Sequence, residues 1–171
     1  MIYIAAALIT ALSFAGAVQL DVSDPDGLYL HVVEPNGTVV THYAGESGNS
    51  TLKFMRRGSV PTSVTANSKR DTGAHCNNIG GSPEDFLAAE GGLSSFFGSN
   101  GQSFASHISY KIGNGVAYGC DYGNGQTYTA CQLSSDVDAI DSKCGTGGAG
   151  WSSHESWKSS YGRTLASEKF C

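Results

Sequence analysis

The sequence predicts an α+β fold, a small disulfide-bonded two-layer sandwich in which an antiparallel sheet carries two helices on one face. Three observations lead there. Two segments repeat apolar residues at helical spacing, the stretch between them alternates at strand spacing, and all five cysteines lie beyond residue 70. With 171 residues, 40% hydrophobic and 15% charged, the chain has room for one domain of ordinary size.

The chain opens with MIYIAAALITALSFAGA, an apolar run closed by Ala15-Gly16-Ala17, the small residues a signal peptidase reads. Residues 1–17 are therefore expected to be a signal peptide cleaved after Ala17. The run is shorter than the ~20 residues a spanning helix needs, and no other segment approaches that length, so no stable membrane span is expected. Two N-x-[ST] sequons, at Asn36 and Asn49, agree with a secretory route and a glycoprotein.

Residues 18–70 read as a pro-segment or a β-hairpin extension. LYLHVVEPNGTVVTHYA alternates like two strands joined at Asn36-Gly37, a pair that favours a type I′ turn. An isolated hairpin is barely stable in water, so this one is expected either to shield the mature domain or to extend its sheet. The pairs Arg56-Arg57 and Lys69-Arg70 flank GSVPTSVTANSKR, which has a linker's composition. Cleavage after Lys69-Arg70 by a kexin-type processing protease of the secretory pathway is expected, because acidic subsites need two cations on an extended backbone. Charge divides at the same place: 18–70 balances five acids with five bases, whereas 71–171 holds ten acids against five bases.

Residues 71–171 form the cysteine-containing α+β domain. Ser82 followed by Pro83 and Asp85 resembles a helix N-cap, with Phe86, Ala89, Leu93 and Phe96 or Phe97 at helical spacing; Gly91-Gly92 weakens the middle. SHISYKIGNGVAYGCDY reads as a hairpin. With Gly113-Asn114-Gly115 as its loop, Ile112, Tyr110 and Ile108 oppose Val116, Tyr118 and Cys120 on one apolar face. Thr129 and Gln132 form a capping box for a second helix, where Leu133, Val137, Ile140 and Cys144 make the apolar stripe and Gly145 the stop. Asp136, Asp138 and Asp141 fall off that stripe and are expected to face water. WSSHESWKSSYGRTLASEKFC supplies one or two further strands.

Cys131 and Cys144 lie thirteen residues apart on one helix, about 20 Å at 1.5 Å per residue, and cannot pair. Cys120 ends a strand just before the helix that Cys131 begins, which favours Cys120–Cys131. A second bridge is drawn from Cys76, Cys144 and Cys171, and one thiol is left over.

Chemistry-bearing residues are few. His75-Cys76, with His107 or His154, suggests a nucleophile and base, but neighbours on an extended chain point apart and secreted cysteines are usually bridged. His75, His107 and His154 lack metal-ligand spacing, and Glu84, Asp85 and Glu155 fit solvent and helix-dipole roles better than paired acids. No catalytic residue, cofactor or metal is assigned on this basis. The net charge of −5 argues against nucleic acid. Trp151, Trp157, Tyr122, Tyr128 and Tyr161 are the candidate binding residues, aromatics able to stack on sugars or anchor a protein interface, with Trp151, Trp157 and Tyr122 foremost.

The pattern VAYGCDY…C…IDSKCG…GAGW…WKSSYGR…FC resembles small secreted cysteine-containing fungal proteins. Over roughly 71–171 it is similar in layout to the virus-derived fungal killer toxins and the extracellular effectors thought related to them, which share small disulfide-bonded α/β sandwiches. The resemblance implies secretion, kexin processing, a role in antagonism or host interaction, and no enzyme activity. The expected partner is an extracellular protein, glycan or cell-surface target. The alternative is a small carbohydrate-binding or cell-wall-associated module using exposed aromatics.

Overall fold

The computed structural model describes residues 17–45, 73–123 and 125–171. The signal segment before Ala17, the Asn49 sequon and the Lys69-Arg70 pair lie outside the described residues.

Seven antiparallel strands form one sheet, ordered β2 (Val39–Gly45), β1 (Gly27–Val33), β5 (His107–Ile112), β6 (Gly115–Asp121), β9 (Ser159–Leu165), β8 (Gly148–His154) and β3 (Gly73–Gly80). Helices α1 (Pro83–Phe97) and α2 (Ala130–Cys144) pack against it, and β4 (Gln102–Phe104) pairs with β7 (Gln126–Tyr128) as a small second sheet. The predicted α+β fold is the observed one.

Both helices start as their sequences require. Ser82 Oγ accepts from the Asp85 N–H at 3.2 Å with Pro83 in the first turn, and Thr129 and Gln132 make the reciprocal capping box. The α1 helix runs unbroken through Gly91-Gly92 because Gly92 is where the Tyr110 ring meets it. A Cβ there would lie 2.4 Å from that ring. Phe86, Ala89, Leu93, Phe96 and Phe97 are buried, as their spacing predicts.

The 27–45 hairpin is part of the main sheet: β1 lies between β2 and β5, and its Leu28 is fully buried. Lys111, itself buried, donates from Nζ to Asp26 Oδ1 at 3.0 Å and to the Asp24 carbonyl at 2.8 Å, tying the strand's entry to β5. The turn differs from type I′, which needs positive φ at both central residues. Of Asn36 and Gly37 only Gly37 has one, 83°. The Gly37 N–H donates to the Glu34 carbonyl and the Glu34 N–H to that of Thr38, giving a three-residue loop with glycine at its left-handed position. Asn36 is exposed at this turn.

The β5–β6 register is one residue from the expected one. Ile112 pairs with Gly115, Tyr110 with Ala117, Ser109 with Tyr118 and His107 with Cys120, so Gly113-Asn114 alone makes the turn. A one-residue slip sends side chains to the other face. Ile108, Tyr110 and Ala117 therefore meet the helices, whereas Val116, Tyr118 and Cys120 join a second cluster on the far side. The far side is not left to solvent, because two chain segments, 17–20 and 166–171, cover much of it. Val18 and Phe170 bridge to each other, and Val18, Leu20, Ala166 and Phe170 are all buried.

Two acidic residues expected to face water have protein partners, and only Asp136 is buried. Asp141 accepts from the Arg163 guanidinium. Arg163, 2% exposed, reaches from β9 between both helices to Glu90 on α1 at 3.0 Å, Asp141 on α2 at 2.5 Å, and the carbonyls of Gly145 and Gly148. Burial nevertheless pushes the Glu90 carboxyl upward, against the pull of Arg163.

The disulfides are Cys76–Cys144, joining β3 to α2, and Cys120–Cys171, fastening the C-terminal segment to β6. The expected Cys120–Cys131 bridge does not form. Cys120 projects to the face away from the helices, where Cys171 waits, while Cys131 is an exposed thiol on α2.

Candidate functional site

Strand pairing lines up a row of side chains across the face opposite the helices. From one edge to the other it reads Tyr43, Tyr29, Ser109, Tyr118, Gly162, Trp151 and His75. The parallel row beside it reads Thr41, His31, His107, Cys120, Ser160, Ser153 and Gly73. Phe170 roofs the middle, stacked on Tyr118 at 4.9 Å between centroids and set edge-on to His31 at 5.7 Å.

Beyond that roof the row is open. Gly162 presents no side chain between Tyr118 and Trp151, and a Cβ there would lie 2.8 Å from both the Tyr118 hydroxyl and the Trp151 Cβ. A hollow of about 310 Å³ lies beside these rings, lined also by Tyr122, Asn77, Ser160, Lys169 and Cys171. The indole of Trp151 is half-buried and stacked on His75 at 5.2 Å, which fixes its plane. Buried Asn77 Oδ1 has no hydrogen-bond partner among the described residues, and exposed Lys169 brings a cation to the rim. Burial pushes the Tyr118 hydroxyl well above its ordinary pKa, so this wall is uncharged at neutral pH. The arrangement offers flat apolar faces, an amide acceptor, a hydroxyl and an ammonium group. None of the residues lining it carries a side-chain carboxylate.

Of the five aromatics singled out by sequence, Trp151 and Tyr122 share this pocket, Trp157 does not, and Tyr128 and Tyr161 are buried in the core instead. Trp157, 41% exposed, stacks on the His154 ring at 4.5 Å near α2. No coplanar row of exposed tryptophans results. Ala17 reaches the pocket wall, and Val18 beyond it exchanges backbone hydrogen bonds with Phe170.

The nucleophile, metal and paired-acid combinations weighed from sequence are not assembled. Cys76 is bridged, and His75 and His107 occupy the far face while His154 sits against α2. His154 Nε2 lies 2.9 Å from both Asp136 oxygens, and the Tyr128 hydroxyl donates to Asp136 Oδ2. Tyr128 in turn stacks on Tyr161 at 3.6 Å. The trio ties α2 to β7 and β8. Asp85, at the start of α1, accepts from the Asn114 N–H at the β5–β6 turn.

Sequence reasoning missed Tyr118, Asn77 and Lys169. A two-residue Gly113-Asn114 turn, had it been chosen, would have moved Tyr118 off the helix face.

No protein-family model, curated protein or solved structure matches the chain.

Proposed function

We propose that the protein is a secreted, non-enzymatic effector of the killer-toxin type, matured by cleavage after Lys69-Arg70. In this reading it acts on an extracellular or cell-surface target, which it engages through the pocket beside Tyr118, Tyr122 and Trp151. The pocket carries the proposal: a concave aromatic site with a few convergent polar groups is where a ligand is best desolvated and oriented. Two stapling disulfides suit a small domain in an oxidising compartment. Both lie beyond residue 70, so cleavage leaves them intact and leaves 18–45 held by the β1 ladder and the Lys111–Asp26 pair.

Intact mass of protein recovered from the medium of expressing cells tests the maturation. A new N-terminus at Asp71 with four oxidised cysteines is expected; a single glycosylated chain running on from Val18 refutes cleavage. Applied to susceptible cells, Trp151→Ala protein is expected to lose its effect, and undiminished potency refutes the pocket as the site of action.

The carbohydrate-binding alternative is favoured by one specific feature, the company of Trp151 and Tyr122 with Asn77, Ser160 and Lys169, which together could stack on and hydrogen-bond a sugar ring. In a Trp157→Phe background Trp151 is the remaining tryptophan. Saturable quenching by cell-wall oligosaccharides supports this alternative, and a flat titration removes it.

A further inference from the structure

Beside the pocket, three donor atoms converge that the sequence keeps far apart. A ring nitrogen of His107 and the sulfurs of Cys120 and Cys171 all lie within 4.8 Å of one another. His107 and Cys120 are directly paired across β5 and β6, and Cys171 is brought over them by the C-terminal segment.

His107 is 5% exposed, and among the described residues its Nδ1 makes no hydrogen bond of ordinary geometry. A buried polar atom left unmatched is costly, so its retention calls for an explanation.

We propose that His107, Cys120 and Cys171 are a redox-gated site for a thiophilic d10 ion, zinc(II) or copper(I), which binds when the Cys120–Cys171 disulfide is reduced. A thiol reductant supplies the opening step. Two reductant thiols give two electrons and two protons to the disulfide, whose S–S bond breaks as the reductant's own disulfide forms. Metal entry then makes two S–metal bonds and one N–metal bond and releases the two cysteine thiol protons to solvent. Two thiolates at ~2.3 Å and one imidazole at ~2.0–2.1 Å from zinc would place the donors roughly 3.5–3.8 Å apart, so the two sulfurs, bonded to each other in the disulfide, must separate once it is reduced while the imidazole already lies within 4.8 Å of both. The adjustment falls on Cys171, whose segment is held by the Val18–Phe170 bridge and not by a strand ladder. Entry is from the pocket, since Cys171 lines it, as does Tyr122, whose ring packs 5.7 Å from that of His107.

The probe is Cd²⁺, titrated anaerobically into full-length protein with and without a phosphine reductant, in a Cys76→Ser/Cys144→Ser/Cys131→Ser background. One equivalent is expected to bind the reduced form, with a thiolate-to-cadmium charge-transfer band for two sulfurs. The oxidised form is expected not to bind. His107→Ala should weaken binding by more than the ~10–100-fold that even outer-shell partners contribute. The triple variant itself must keep the native circular dichroism spectrum; if it does not, the same titration is run on wild-type protein, where ¹¹³Cd shifts separate a two-sulfur, one-nitrogen site from an all-sulfur one. Equal affinity after His107→Ala, equal binding by the oxidised form, an all-sulfur shift, or loss of the folded spectrum on reduction would each overturn the proposal.

Discussion

Acidification should unlatch the sheet through His31. This side chain is 1% exposed on β1, with its ring nitrogens 3.0 Å from Thr41 Oγ1 and 2.8 Å from Ser109 Oγ, the Phe170 ring beside it and His107 opposite. Burial, aided by repulsion from His107, pushes its pKa down from 6.5 to about 3. The unfolded chain therefore binds a proton near pH 6.5 that the folded chain refuses until about pH 3. Stability is full above pH 6.5 and falls as pH drops through that window. Each pH unit is worth about 1.4 kcal/mol, so the loss from this one group is about 2 kcal/mol at pH 5 and approaches 4–5 kcal/mol at pH 3. His107, also lowered by burial, acts in the same direction. The assay is urea unfolding of wild type and His31→Gln at pH 7.5, 6 and 5, with the histidine ring resonances followed by NMR. Between pH 7.5 and 5 wild type is expected to lose about 2 kcal/mol more than the variant, whose amide stays neutral. Parallel losses, or a His31 resonance titrating near 6.5 in the folded protein, would refute the reasoning.

Arg163→Met strands the buried Glu90 carboxylate and frees Asp141, so equilibrium unfolding should show a loss of about 3–5 kcal/mol; a change below about 1 kcal/mol would mean the cluster does not hold the helices down. Non-reducing peptide mapping should recover Cys76–Cys144 and Cys120–Cys171, while native-state alkylation labels Cys131 alone; a Cys120–Cys131 peptide would contradict the fold's two faces. Asp136→Ala leaves the Tyr128 hydroxyl and His154 without their shared acceptor and is expected to cost about 1–3 kcal/mol by thermal or chemical melting. An unchanged midpoint would show that water replaces the carboxylate.

The sequence by itself determined the helices, their caps and the α+β class, because those follow from interactions within three or four residues: Ser82 to Asp85, Thr129 to Gln132, and the Phe86, Ala89, Leu93 stripe. It also placed the 27–45 strands, whose period of two is local. Trp151 and Tyr122 were recognised as binding candidates from residue type, without any sign that they share a pocket. Only the tertiary structure decided which face Tyr118 and Cys120 take, since a two-residue and a three-residue turn fit the same glycines and differ by a flip of the strand. That flip sends Cys120 to Cys171, gives His107 its sulfur neighbours, and sets Tyr118 in the row with Trp151. Asp136 and Asp141 lie off their helix's apolar stripe and still meet partners, because Tyr128, His154 and Arg163 arrive from strands distant in sequence. Periodicity reports which side of an element is apolar; what covers the other side is a property of the whole chain.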